Sequence, residues 1–160
     1  MKKIFIIGTS HTTQKDLSRT DFSDFLEQVV DCKNIGAIAE EINDEKSVIE
    51  QVVKKLNLEY RNIEPNVNER VSLGIPRNLS HIDHEIIMKH DNYTSHEAQS
   101  ELKLKQQEMY SKREDEWERR ISKLTSDSVL VICGANHVNS FYKLLENFGY
   151  TVEIISSLME

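Results

Sequence analysis

One pattern occurs twice, near the two ends of the chain, and it constrains the fold more than any other feature. Ile4-Phe5-Ile6-Ile7-Gly8-Thr9-Ser10-His11 opens the sequence, and Leu130-Val131-Ile132-Cys133-Gly134-Ala135-Asn136-His137 lies near its end. Each is a short apolar run, a glycine, two small or polar residues and a histidine. An apolar run of this length bounded by glycine reads as a strand buried on both faces, as in a parallel sheet covered by helices. The glycine permits a sharp exit and lets the backbone pass close to a ligand. Both histidines are therefore expected just past the carboxyl ends of strands, where open α/β sheets hold their sites. One Gly-x-x-His alone reads as the first polar residue of a loop or cap. Two copies, each behind an apolar strand, favour a shared site.

The rest of the chain fits the same plan. Ser18 with Asp21 resembles a capping box, and Phe22, Phe25, Leu26, Val29 and Val30 recur at helical spacing, which predicts an amphipathic helix over 19–31. Asn34 to Glu40 reads as the second strand. Asn43 or Asp44 is the expected cap of a helix carrying Val48, Ile49, Val52, Val53 and Leu56. Leu58 to Ile63 reads as a third strand. Both prolines, Pro65 and Pro76, fall in an expected loop from about 64 to 80, and long loops often carry function. From His81 to Thr125 the sequence is charged and free of Gly and Pro, so one helix or two is expected, broken at Asp91-Asn92 or Thr94-Ser95. After the Val129–Cys133 strand, Asn136 is placed to cap a helix that Gly149 ends, and Tyr150 to Ile155 reads as the last strand. The order predicts one α/β domain over 1–160: a largely parallel sheet flanked by helices, with a long charged helical segment before the last two strands.

Length and charge bound the partners. The chain has 160 residues and a formal net charge of −7, which argues against nucleic acid or an acidic membrane as a general partner. No apolar run approaches the ~20 residues of a membrane span. Met1-Lys2-Lys3 followed by Ile4–Ile7 mimics a signal peptide, but the run is short of the usual h-region of roughly 7–15 residues. The two cysteines, Cys32 and Cys133, make no disulfide framework, and a cytoplasmic protein is expected.

Histidine is the commonest metal ligand and the natural general base near neutral pH. His11 and His137 on neighbouring strand ends could share one divalent ion, with a carboxylate completing the shell. Glu40 and Glu41 end strand two. By strand alternation one of them faces the crevice, with Glu40 slightly favoured because Glu41 leads into the next helix. Leu102, Met109, Trp117, Ile121 and Leu124 form an inward helical stripe, and Arg113 falls on it between Met109 and Trp117. A guanidinium there needs a partner, either an anionic group in the crevice or, with its head snorkelling out, Glu114 or Glu116. Ser10, Thr12 and Thr13 surround the first histidine and could bind phosphate or a polar substrate group, as could Asn136, or simply turn the chain. His81, His84, His90 and His96 with Asp83, Glu85 and Asp91 form a second patch, a solvated helix face or a lid.

Ile-Ile-Gly-Thr-Ser-His (6–11), Ala-Ile-Ala-Glu-Glu-Ile (37–42), Arg-Glu-Asp-Glu-Trp-Glu-Arg-Arg-Ile (113–121) and Val-Leu-Val-Ile-Cys-Gly-Ala-Asn-His-Val (129–138) occur in an order that resembles the TraB/Tiki/PrgY-like superfamily, a group related to the erythromycin-esterase and ChaN-like proteins. The resemblance implies an α/β fold with both histidines and a glutamate at the crevice. It matches His11 and His137 to the motif histidines, Glu40 or Glu41 to the glutamate and Arg113 to the helical arginine. In Tiki proteins it implies metal-dependent proteolysis, in the esterases hydrolysis assisted by His and Glu, and in TraB and PrgY control of peptide pheromones. Residues 64–100 have no counterpart in it.

The leading expectation is a hydrolase of a peptide or ester bond. His11, His137 and Glu40 would hold manganese, cobalt or zinc, or the histidines would act as base. Glu40 or Glu41 would activate water, and Arg113 would hold negative charge. The rival is a non-catalytic module that binds a small anion, a nucleotide or haem in the same crevice. A homo-oligomer built through the charged helix is the third reading.

Overall fold

A computed structural model of the protein describes residues 2–43, 46–75, 88–89 and 94–155. Five strands form one sheet: β1 (Lys3–Thr9), β2 (Ala37–Glu40), β3 (Glu59–Asn62), β4 (Ser128–Gly134) and β5 (Thr151–Ile154). Their order is β3-β2-β4-β1-β5 and every pair is parallel. β1 and β4 lie side by side in the middle, with Lys3 opposite Ser128 and Thr9 opposite Gly134. That register is what makes the two Gly-x-x-His segments leave neighbouring strands at one level.

Alternation along the strands divides the core in two. Phe5, Ile7, Ile38, Leu130 and Ile132 face one side. There they meet Phe22, Leu26, Val29 and Val30 of α2 (Thr20–Lys33) and Val48, Ile49, Val52 and Val53 of α3 (Val48–Leu56). Ile4, Ile6, Ala37, Ala39, Val129, Val131 and Cys133 face the other side. Trp117 and Ile121 of α5 (His96–Ser122) cover them, together with Phe141 and Leu145 of α6 (Val138–Asn147). Each fully buried aliphatic or aromatic side chain here contributes about 1.5–3 kcal/mol. Because both faces are covered, the strands can be apolar throughout, and Ile4 to Ile7 are all buried.

The chain divides into two compact units: residues up to Glu64 together with those from Trp117 onward, which hold the sheet, and Pro65–Glu116. The second unit contains α4 (Val67–Leu73) and the first part of α5, with its own small cluster of Ile75, Ala98 and Met109. The expected loop over 64–80 therefore needs correction. Asn66 and Glu69 form a reciprocal capping box, and Gly74 ends α4 in the left-handed region at φ 71°. α5 starts after Ser95, whose hydroxyl accepts the Ala98 N–H, at the Thr94-Ser95 alternative; Asp91-Asn92 lies outside the described residues. Met109, Trp117, Ile121 and Leu124 are buried as the stripe requires.

Three caps differ from expectation. α2 begins at Arg19 without a side-chain cap, because Asp21 pairs with the Arg19 guanidinium and Ser18 bonds Asp16. α3 is capped by Ser47 rather than Asn43, and Asp44, the other expected cap, lies outside the described residues. A 3₁₀ turn, Ala135–His137, precedes α6, so Asn136 caps nothing. The expected loop after Gly8 also contains a short helix, α1 (His11–Lys15). Among the described residues, no helix is long and apolar enough to cross a membrane.

Candidate functional site

The connections of the sheet explain where a site forms. β1 and β2 run on into α2 and α3, on one face; β4 runs on into α6, on the other. Adjacent strands whose exits diverge leave a crevice at their carboxyl ends. Gly8 and Gly134 sit at this divergence. Neither has positive φ, so their role is close approach rather than an unusual turn. A side chain at Gly8 would meet Val138 Cγ2 at 2.7 Å and Ala135 Cα at 3.1 Å, which is where β1 abuts the turn after β4.

Alternation also decides between the two glutamates. Glu40, in step with Ile38, turns to the α2/α3 face. Its Oε1 accepts from the Ser47 hydroxyl at 2.8 Å and the Tyr60 hydroxyl at 2.6 Å, and its Oε2 from Gln14 Nε2 at 2.9 Å. Burial raises its pKa above the ordinary 4.5, while the three hydrogen bonds pull it down. Glu41 is the carboxylate beside the histidines. Its Oε1 accepts the Gly134 N–H at 2.7 Å, and its Oε2 lies 3.8 Å from His11 Nε2. The slight preference for Glu40 as the crevice residue is thus reversed.

His11 opens α1, with its side chain 34% exposed. The helix is short, and Gln14 ties it down: the fully buried Gln14 amide donates to Glu40 Oε2 and to the Glu41 carbonyl at 3.0 Å. Among the described residues, Gln14 Oε1 is the buried side-chain polar atom left without a hydrogen-bond partner. The Glu41 carboxylate raises the His11 pKa above the ordinary 6.5, and partial burial of the ring works against it. At 3.8 Å the pair is an ion-pair contact.

His137 is only 3% exposed, packed edge-on against Trp117 at 4.8 Å between ring centroids. A Cβ placed on Gly134 would lie 3.4 Å from Glu41 Oε1 and 3.7 Å from His137 Cδ2, so Glu41 and His137 border one point. Glu64, 4% exposed, accepts from Trp117 Nε1 at 3.2 Å and adds a further raising influence on His11. The structure therefore gathers His11, Glu41, His137, Glu64 and Trp117. Gln14 and Glu64 carried no signal in the sequence, since each sits in a polar segment without periodicity.

The other expected residues lie as follows. Ser10 caps α1, accepting the Thr13 N–H at 3.2 Å, and Thr12 is exposed on the same helix. Asn136 is exposed in the 3₁₀ turn. Arg113 belongs to the Pro65–Glu116 unit, half-buried, with its guanidinium 5.9 Å from the centre of the Tyr110 ring. His96 is exposed at the start of α5; His81, Asp83, His84, Glu85, His90 and Asp91 lie outside the described residues. A catalytic divalent ion takes about three protein ligands. Among the described residues no three His, Cys, Asp or Glu side chains are grouped to hold one. Glu40, the expected third ligand, has both oxygens engaged by protein donors. Those donors hold Glu40 on the α2/α3 face, so the carboxylate found beside His11 is Glu41 and not Glu40. Comparison with family models, curated proteins and solved structures finds no match to this chain.

Proposed function

We propose that the protein is a small cytoplasmic hydrolase of ester or peptide bonds, with His11 as general base and Glu41 as the group that orients it. The observation that carries this reading is the His11–Glu41 pair, with Glu41 fixed by the Gly134 N–H at the carboxyl end of the central strands. A base must reach both water and substrate, and His11 is exposed enough to do so while His137 is buried. His11 takes a proton from water as its oxygen attacks the carbonyl carbon. The imidazolium so formed is stabilised by Glu41, then returns the proton to the departing alcohol or amine. His137, held by Trp117, acts as a positioning residue behind Glu41. The resemblance to the TraB/Tiki/PrgY-like group points to the same bond types and, through its esterase relatives, to the same His and Glu pairing.

The test is turnover of chromogenic esters and fluorogenic peptides by the purified protein. Loss of about 10²–10⁴-fold in rate on His11→Ala is expected. Turnover that survives His11→Ala overturns the assignment. Saturable binding of nucleotide, haem or a small anion with no product formed supports the binding module instead; the Glu41 carboxylate, which raises the His11 pKa and so favours a cationic ring, is the feature behind that second reading.

A further inference from the structure

A separate cavity lies along β3, among residues that take no part in the histidine site. It has a volume of about 360 Å³ and is lined by Glu59, Tyr60, Arg61, Arg119, Arg120, Lys123 and Leu124. Four of these lining residues are cationic and one, Glu59, is acidic. Glu59 keeps its negative charge and is committed to the turn after α5. Its oxygens accept from the Thr125 N–H, the Thr125 hydroxyl and the Ser126 N–H, all at 3.0 Å, and this fastens the turn after α5 to the start of β3.

Basic residues in the last turn of a helix are common, because they complement the helix dipole. That accounts for Arg119 and Arg120 of α5 and for Lys123 just past it. It does not account for Arg61, which reaches the same cavity from a strand. Two elements thus converge their positive charge on one volume. The arrangement is also built rather than loose. Arg120 is 5% exposed, and its Nη1 donates to the Asn62 carbonyl at 3.3 Å and the Glu64 carbonyl at 3.4 Å. β3 is an edge strand paired only with β2, and Arg120 covers part of its open side. Arg61 and Lys123 are exposed, so their charged ends are reachable from solvent.

We propose that this cavity binds a small phosphate-bearing ligand. Planar guanidinium groups match the oxygens of a phosphate, and several cations suit a dianion better than a single carboxylate. The volume falls at the low end of the roughly 300–1,000 Å³ of small-molecule clefts, which leaves room for an organic group as well as the phosphate. The ligand class is therefore a phosphomonoester, with free phosphate as its minimal form. The site is independent of the hydrolase reading: it shares no residue with the His11–Glu41 pair.

The test is calorimetric titration of the whole protein with inorganic phosphate, adenosine monophosphate and a hexose phosphate at low ionic strength. Saturable binding is expected, tighter for a phosphomonoester than for phosphate if the organic group is recognised, and weakened about tenfold by Arg61→Ala and by Lys123→Ala. Arg61→Lys should retain part of the affinity. Both positions are exposed, and a circular-dichroism melt of each variant confirms that it is folded. Affinity unchanged by both alanine substitutions, or no saturable binding of any of the three probes, overturns the site. Binding lost on His11→Ala but retained in these variants places the anion elsewhere and also overturns it.

Discussion

At the scale of single residues, the Glu40-Glu41 pair shows how one step along a strand separates two chemistries. Glu40 is sealed among Gln14, Ser47 and Tyr60, whereas Glu41 meets His11 and the Gly134 N–H. The pH dependence of His11 tests this division. Glu41 raises the imidazole pKa above 6.5, so the base form that the proposed hydrolysis requires accumulates as pH rises through the raised midpoint, and the rate of that reaction should climb with it. In Glu41→Gln the raising influence is largely gone while burial still lowers the value, so the midpoint should fall toward or below 6.5. Nuclear magnetic resonance titration of the His11 ring reads this directly, without a substrate. Stability follows the same sign. The pair's contribution is complete below 6.5 and is lost as pH rises through the raised value, so the gap in melting temperature between wild type and Glu41→Gln should narrow with increasing pH. That one of two adjacent glutamates would face the histidines was legible from alternation. Which one was not, because the phase of β2 depends on which helices cover each face.

At the scale of elements, what could be read was the apolar pattern, and what could not was the junctions. Ile4–Ile7, Val129–Cys133 and the Met109-Trp117-Ile121 stripe announce themselves by run length or period, and each is buried. Caps are decided by competition among neighbouring polar groups. Asp21 has an arginine beside it and is diverted from capping; Ser47 outcompetes the earlier Asn43; Asn66 with Glu69 starts a helix inside a stretch that its prolines and asparagines marked as loop. Gly8 belongs to this scale too, since it allows β1 and the turn after β4 to touch. Gly8→Ala should destabilise the protein by about 1–3 kcal/mol, measured by urea unfolding, because the added methyl meets Val138 at 2.7 Å and the Ala135 backbone at 3.1 Å. A substitution without effect would mean that the contact between these segments is looser than the structure has it.

At the scale of the whole molecule, the order β3-β2-β4-β1-β5 puts the two motif strands in the centre and leaves β3 and β5 as edges. Central strands open only when the fold does, while edges fray. Amide hydrogen exchange should therefore be slowest over Ile4–Ile7 and Val129–Cys133 and faster over Thr151–Ile154, where the strand is mostly exposed. Equal protection along all five strands would contradict the order. The parallel sheet flanked by helices was foreseeable from the alternation of apolar runs and amphipathic segments. The insertion of β4 between β1 and β2 was not, since no local pattern records which strands are neighbours.

That insertion also sets a timetable. A ribosome releases His11 and Glu41 long before Gly134, yet the amide of Gly134 is what steadies Glu41, and β4 is the wedge on which β1 and β2 both depend. A nascent chain that has reached only α5 holds its first strands without a common partner, and its Glu41 carboxylate lacks the amide that fixes it. Glu41 reaches its final setting only once β4, Ser128–Gly134, has emerged, so the last strands to be made complete the surroundings of the first.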